Sequence, residues 1–112
     1  MAAGTQPSST ARMSYAVVFR TEALQDITGA MDWYDEQQAG LAERFYAQLE
    51  SKLEQVAEHP FLYSIRYAEV RCVLVDDFPY LMHYYVEEER RRVTVLGIIH
   101  TSRDPRTGQE RL

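Results

Sequence analysis

The chain has 112 residues, of which 46% are hydrophobic and 26% are charged, and its formal net charge is −5. This length and apolar content predict one globular domain with a modest core and argue against disorder over most of the chain. No apolar run approaches the roughly 20 residues that span a bilayer, and a single cysteine excludes an internal disulfide framework and indicates a reducing cytoplasm.

The start of the chain divides into a leader and a first strand. Residues 1–13 are mostly small and polar and lack the apolar segment of a signal peptide, so we interpret them as a flexible leader. The run "YAVVF" (Tyr15–Phe19) is rich in β-branched and aromatic residues and predicts a strand. The main domain is expected to span residues 14–105, followed by a polar tail over residues 106–112.

Two amphipathic segments follow the first strand. "TEALQDITGAMDWYDEQQ" repeats apolar residues at helical spacing and ends near Gly40, and "LAERFYAQLESKLEQVAEH" does so until Pro60 stops it. The apolar stripes comprise Ala23, Ile27, Ala30, Met31 and Tyr34 in the first segment, and Leu41, Phe45, Leu49, Leu53 and Val56 in the second. Two such helices joined by a short glycine loop predict an antiparallel helical hairpin.

After Pro60 the apolar period changes from helical spacing to two. "EVRCVLV", "YLMHYYV" and "RVTVLGII" are alternating or β-branched runs, and the last two are joined by "EEERRR", a connection short enough for a hairpin. The predicted order is β-α-α-β-β-β. The fold class is therefore α+β, with a two-helix hairpin packed on a mostly antiparallel sheet.

Charge is distributed unevenly along the chain. Residues 21–58 contain nine acidic residues against two basic ones, whereas residues 59–112 contain eight acidic residues and eight arginines. Because phosphate neutralisation supplies most non-specific affinity for nucleic acids, the helical hairpin cannot be a nucleic-acid-binding face. The second half of the chain could contact phosphate, through arginines alone.

We expect any chemistry at the polar residues to proceed without a metal or a cofactor. The three histidines lack metal-ligand spacing, and no glycine-rich phosphate loop occurs. The candidate catalytic residues are His100, Arg103, Arg71 and His83. Arg66 belongs to the same group of basic residues in the second half of the chain. Histidine and arginine could supply the base, the acid and the cation that metal-free RNA cleavage requires. A triad of Ser102, His100 and Asp104 is disfavoured because neighbours within one turn rarely face each other correctly.

Each candidate residue also has a structural explanation that requires no catalytic role. His83 lies among aromatic residues in mid-strand and could be a packed, hydrogen-bonded histidine, and His100 could be merely exposed at the end of a strand. Arg71 could project from the solvent side of its strand. Arg103 precedes Asp104 and Pro105, which form a favourable turn sequence.

The segments "DITGAMDWYDEQQAGLAERF", "HP", "VR", "FPYLMHYYV" and "VLGIIHTSRDP", in this order, resemble the RelE/ParE superfamily of type II toxin–antitoxin toxins, also called plasmid stabilisation proteins. The resemblance covers Tyr15 to about Pro105. It implies the same helical hairpin and antiparallel sheet. It also implies a growth-arresting toxin whose partner is a cognate antitoxin, with operator DNA bound only through that antitoxin.

The resemblance leaves three functions open. RelE-type members are ribosome-dependent mRNA endonucleases, and ParE-type members inhibit DNA gyrase without being nucleases. Here Leu81 stands where a RelE-type arginine is expected, no tyrosine follows Tyr85, and the chain has one lysine. We therefore expect a ParE-like gyrase inhibitor that is not an enzyme. The alternatives are a metal-free endoribonuclease acting on mRNA at the ribosome, and an inactive module that only binds its antitoxin.

Overall fold

The computed structural model describes residues 14–112, and the predicted leader lies outside them. The helices are α1 (Thr21–Gln37), α2 (Leu41–Glu58) and α3 (Arg106–Glu110), and the strands are β1 (Ala16–Phe19), β2 (Ile65–Tyr67), β3 (Val70–Leu74), β4 (Tyr80–Glu87) and β5 (Arg92–His100). The predicted β-α-α-β-β-β order is confirmed. The structure adds the three-residue strand β2 before the predicted strands, and it adds the short helix α3 within the polar tail.

The two long helices form the predicted hairpin. Gly40 precedes α2 with a φ of 86°, a left-handed conformation that glycine adopts at no steric cost and that lets the chain reverse within three residues. The buried positions are Ala23, Ala30 and Tyr34 in α1, and Ala42, Phe45, Leu49 and Val56 in α2. These residues repeat at helical spacing, so each helix turns one apolar face to the sheet and leaves its acidic face in solvent.

The five strands form one sheet in the order β1-β5-β4-β3-β2. Within residues 14–112 only the pairing of β1 with β5 is parallel, so the sheet is mostly antiparallel, as predicted. The β4–β5 connection contains a short 3₁₀ turn over Glu88–Arg90, followed by Arg91 at a φ of 48°. Opposite His83 and Tyr84, an irregularity in β5 shifts the register between the two strands.

The inner face of the sheet, which lies under α1 and α2, holds the main core. Phe45 is fully buried, with its ring centroid 5.4 Å from that of Tyr34, 5.3 Å from Phe78 and 5.4 Å from Tyr80. Burial of such a side chain contributes roughly 1.5–3 kcal/mol relative to leaving it exposed. The aromatic cluster thus joins both helices to the loop between β3 and β4.

The outer face of the sheet carries Cys72, His83 and Ile99, and it is covered only in part. Helix α3 returns across it, and Gly108 lies buried against this face. Cys72 is 9% exposed, in keeping with a small buried hydrophobe. Among residues 14–112, no helix is both long enough and apolar enough to cross a membrane.

Candidate functional site

A cleft of about 310 Å³ opens on the outer face of the sheet, beside α3. Strand β2, the β3–β5 strands, the turn after β5 and α3 all contribute to its walls. The residues that line it are Arg66, Tyr67, Cys72, Leu81, His83, Ile99, His100, Thr101, Arg103, Asp104, Pro105, Arg106, Gly108 and Gln109. This arginine cleft is the pocket in which most of the sequence-predicted residues meet.

The structure brings three of the four predicted catalytic residues to the arginine cleft. His83, His100 and Arg103 line it, but Arg71 does not. Arg71 pairs with Tyr84 on the inner side of the sheet and donates a 2.6 Å hydrogen bond to the backbone carbonyl of Tyr63. The alternative of a solvent-side Arg71 is therefore wrong, because its guanidinium closes the loop after α2 instead.

His83 lies at the base of the arginine cleft in a closed environment. Its Nδ1 atom is 2.9 Å from the hydroxyl of Tyr67 and 3.4 Å from the Sγ atom of Cys72. Burial, reinforced by the positive charges of Arg66 and Arg111, lowers the pKa of His83 to about 4. Burial also raises the pKa of Tyr67 to about 12, so the phenol stays protonated beside the neutral imidazole, with which it shares a hydrogen bond. His83 is thus the packed, hydrogen-bonded histidine described above as its structural alternative.

Helix α3 seals this base through a glycine and an ion pair. A Cβ atom at Gly108 would collide with the hydroxyl of Tyr67 and lie 2.8 Å from Nδ1 of His83, so only glycine allows the helix to approach this closely. Arg111 then donates a 2.6 Å hydrogen bond to Asp26 of α1. Both side chains of the pair are about one-sixth exposed, at 15% and 16%.

Asp26 and Arg111 also complete the backbone hydrogen bonding of β5. Strand β1 pairs with β5 only as far as Val95, so among residues 14–112 no strand pairs with the following residues of β5 on that side. The amide of Ile98 donates to the carboxylate of Asp26 at 3.0 Å, and Arg111 donates to the carbonyl of Leu96 at 3.2 Å. The side chains of Asp26, in α1, and Arg111, after α3, therefore satisfy backbone groups of β5 that a neighbouring strand would otherwise satisfy.

His100 lies at the more open end of the cleft, and its hydrogen bonds define its tautomer. The backbone amide of Ser102 is 3.1 Å from Nδ1 of His100, and the hydroxyl of Ser102 is 2.8 Å from the same atom. Because an amide can only donate, Nδ1 accepts and the neutral ring carries its proton on Nε2. Asp104 binds Arg106 at 2.9 Å instead of His100, so a serine–histidine contact is present without the third member of a triad.

The mouth of the arginine cleft is positively charged. Three arginines and one aspartate line it, and Asp104 is already paired with Arg106. Within residues 14–112, no carboxylate lies within ion-pairing distance of Arg66 or Arg103. Two guanidinium groups are therefore available to a ligand, in a chain that is acidic overall.

Sequence reasoning missed Tyr67, Gly108 and Arg111, which together determine the environment of His83. Tyr67 belongs to a strand too short to show a period, and the other two lie in a tail of polar composition. Burial raises the pKa of the Cys72 thiol to about 11, so it stays neutral near pH 7. No group of three or more histidine, cysteine, aspartate or glutamate side chains in residues 14–112 is arranged to hold a metal ion.

The fold is similar to that of solved structures described as components of toxin–antitoxin systems. The chromosomal ParDE system of P. aeruginosa matches with a TM-score of 0.57 and 14% identity, covering 80% of this chain and 99% of that chain. The intact E. coli RelBE toxin–antitoxin complex matches with a TM-score of 0.57 and 22% identity, over 80% and 100% of the two chains. The isolated E. coli RelE toxin matches with a TM-score of 0.57 and 20% identity, over 87% and 95%.

These likenesses define the class: the fold is that of the small RelE and ParE toxins. The family model described as "ParE toxin of type II toxin-antitoxin system, parDE" matches residues 17–105. The chain therefore belongs to the ParE toxin family, within the RelE/ParE superfamily of type II toxins. No curated protein sequence matches it significantly.

Proposed function

We propose that this toxin arrests growth by inhibiting DNA gyrase and that it does not cleave RNA. The observation that carries the proposal is the separation of the candidate catalytic residues: Arg71 lies on the inner side of the sheet, away from His83, His100 and Arg103. Membership of the ParE toxin family supports the same target.

The chemistry of the two histidines also supports a non-enzymatic role. Metal-free RNA cleavage needs a base for the attacking hydroxyl and an acid for the leaving oxygen. His83 has a pKa of about 4, and its Nδ1 atom is occupied by Tyr67, so near pH 7 it is a poor proton donor. That leaves His100, whose Nδ1 atom is already bonded to Ser102. The end of β5 therefore serves better as a contact surface than as an acid–base pair.

We propose a cognate antitoxin as the second partner. Two of the structures with this fold are described as toxin–antitoxin systems or complexes. A chain with a net charge of −5 and an acidic helical hairpin has little affinity of its own for DNA, so operator DNA is bound through the antitoxin. A cytoplasmic location follows, because gyrase and the antitoxin act there.

Supercoiling of relaxed plasmid by purified gyrase tests the proposal. We expect the purified chain to inhibit the reaction, and we expect the double substitution His100→Ala/Arg103→Ala to weaken inhibition at least about tenfold by removing central contacts. The matched control Arg44→Ala/Arg90→Ala removes two arginines away from the cleft and should inhibit normally. Unimpaired supercoiling at saturating toxin would refute the proposal.

A second function is favoured by one specific observation. Arg66 and Arg103 lack carboxylate partners within the described residues and share a cleft with the Nε2 proton of His100, an arrangement that could receive a phosphate. Pulse-labelling after induction separates the possibilities. If protein synthesis falls before DNA synthesis, the chain is an mRNA endonuclease acting at the ribosome. If neither falls, it is a binding module.

A further inference from the structure

We infer that helix α3 is a cover that stays on the sheet only while His83 is neutral, so that protonating this imidazole releases the helix. His83 is 7% exposed, and α3 lies directly over it, since a Cβ atom at Gly108 would be 2.8 Å from Nδ1 of His83. The helix has five residues, Arg106–Glu110, and its buried residue is Gly108. Closure of so short a helix therefore depends on the few groups that it meets at the sheet.

Helix α3 is attached to the sheet by a close backbone contact and by an ion pair. The contact is that of Gly108 with Tyr67 and His83. The ion pair follows the helix, where Arg111 donates a 2.6 Å hydrogen bond to Asp26. The guanidinium of Arg111 is also one of the charges that disfavour a protonated His83. Closure of the helix therefore brings a positive charge to the imidazole that it covers.

The groups around His83 favour a neutral ring. Those that face it are Arg66 and Tyr67 from β2, Cys72 from β3, Asp26 from α1 and Arg111 after α3. Strand β5 places Gly97, which has no side chain, opposite His83. The arginines repel a protonated ring, whereas Asp26, which attracts it, is already paired with Arg111. Burial is the largest cause and the arginines add to it, so the pKa of His83 falls to about 4.

Release of α3 stabilises the protonated ring, because Arg111 leaves with the helix and water reaches the imidazole in place of Gly108. In the released state the pKa of His83 should return to its ordinary value of about 6.5. The state with the higher pKa binds the proton more tightly, so its population grows as the pH falls below 6.5. With pKa values of about 4 and about 6.5, the open fraction should rise about twentyfold between pH 7.5 and 5.

The arginine cleft changes when α3 leaves, because Arg106, Gly108 and Gln109 form part of its wall. Cys72 lines the same cleft and is 9% exposed, so its thiol can report the opening. Loss of one wall should weaken binding of gyrase at this cleft. That consequence rests on the proposed function, whereas the release of the helix does not.

Reaction of the thiol with 4,4′-dithiodipyridine tests the inference on the full chain, in which Cys72 is the single cysteine. At each pH the rate is divided by that of N-acetylcysteine, which removes the intrinsic pH dependence of the reaction. We expect the normalised rate to rise about twentyfold from pH 7.5 to 5. His83→Asn, which does not titrate, should abolish this rise. Gly108→Ala should raise the rate at every pH, because the added Cβ atom collides with the hydroxyl of Tyr67.

The matched control is His100→Asn, which removes a histidine from the more open end of the same cleft and should retain the full rise. Urea separates local from global opening. Release of a five-residue helix exposes little surface, so the rate at pH 5 should change little between 0 and about 1 M urea. A normalised rate that is independent of pH, an equal rise in His83→Asn, or a steep urea dependence at pH 5 would overturn the inference. Supercoiling by gyrase is measured separately, so its failure would refute only the proposed function.

Discussion

The two faces of the sheet differ in what covers them. The inner face lies under two long helices and is filled by aromatic and aliphatic side chains, with Phe45 fully buried at its centre. The outer face is covered in part by the five-residue helix α3, which is held by Arg111 and Asp26. Stability is therefore expected to depend on packing at the inner face and on a few polar contacts at the outer face.

This difference indicates how one small domain can be both stable and functional. The inner face is filled by buried aliphatic and aromatic side chains. The outer face keeps arginines at the mouth of a cleft and a neutral histidine at its base. Substitutions should therefore have large, pH-independent effects on the inner face and smaller or pH-dependent effects on the outer face.

The largest effect is expected from Phe45→Ala. Removing a fully buried ring that contacts Tyr34, Phe78 and Tyr80 should lower the free energy of unfolding by about 3–5 kcal/mol. The matched control is Tyr46→Ala, since Tyr46 is the next residue of α2 and is 43% exposed, and it should cost less than about 1 kcal/mol. Urea unfolding measures both. Equal losses would mean that the inner face is not the main source of stability.

The next effect is a pH dependence that belongs to the outer face. The pKa of His83 is about 4 in the folded chain, against 6.5 for an unperturbed histidine, so folding favours the neutral ring. The contribution of neutral His83 to the free energy of unfolding is complete above pH 6.5 and is lost as the pH falls through 6.5 towards 4. A shift of this size corresponds to about 3 kcal/mol over that range.

The substitution His83→Asn isolates this contribution, because the side-chain amide of asparagine can still form a hydrogen bond with Tyr67 but does not titrate. Unfolding free energies of both proteins between pH 7.5 and 4 should differ in slope, with the wild type losing more. The carboxylates titrate in both and cancel in the comparison. Parallel curves would show that His83 is not held neutral by the fold.

The inner face and the outer face also differ in how far the sequence determined them. Helical periodicity, Gly40 and Pro60 were enough to predict α1, α2 and the inner core, because these signals are local and repeat several times. The confirmed strands β3, β4 and β5 likewise follow from alternation over five or more residues. Periodicity failed for β2, since three residues, Ile65–Tyr67, are too few to establish a period.

The candidate site was predicted less completely because it depends on contacts distant in sequence. His83, His100 and Arg103 do meet in one cleft, but alternation alone did not indicate that Arg71 faces the other side. Helix α3 lies in a segment of polar composition. Its position depends on Arg111 reaching Asp26 across 85 residues, and no local pattern encodes such a contact.

The smallest of the three effects concerns this contact between Asp26 and Arg111. The substitution Asp26→Ala removes the partner of Arg111 and the acceptor for the amide of Ile98, both in a mostly buried position. We expect a loss of about 2 kcal/mol in unfolding free energy. Asp26→Asn should lose less, because the amide oxygen can still accept from Ile98.

The exposed pair of Asp104 and Arg106 is the matched control for this effect. It lies in the same carboxyl-terminal segment, but its side chains are 51% and 75% exposed, so Asp104→Asn should leave stability unchanged within error. Hydrogen exchange adds a local measurement, since Asp26→Ala should accelerate exchange of the Ile98 amide and leave the amides of β3 protected. If Asp26→Ala and Asp104→Asn lower the free energy of unfolding equally, burial does not explain the contribution of the Asp26–Arg111 pair to stability. If Asp26→Ala exposes the whole sheet to exchange, α3 is part of the cooperative core rather than a cover added to the outer face.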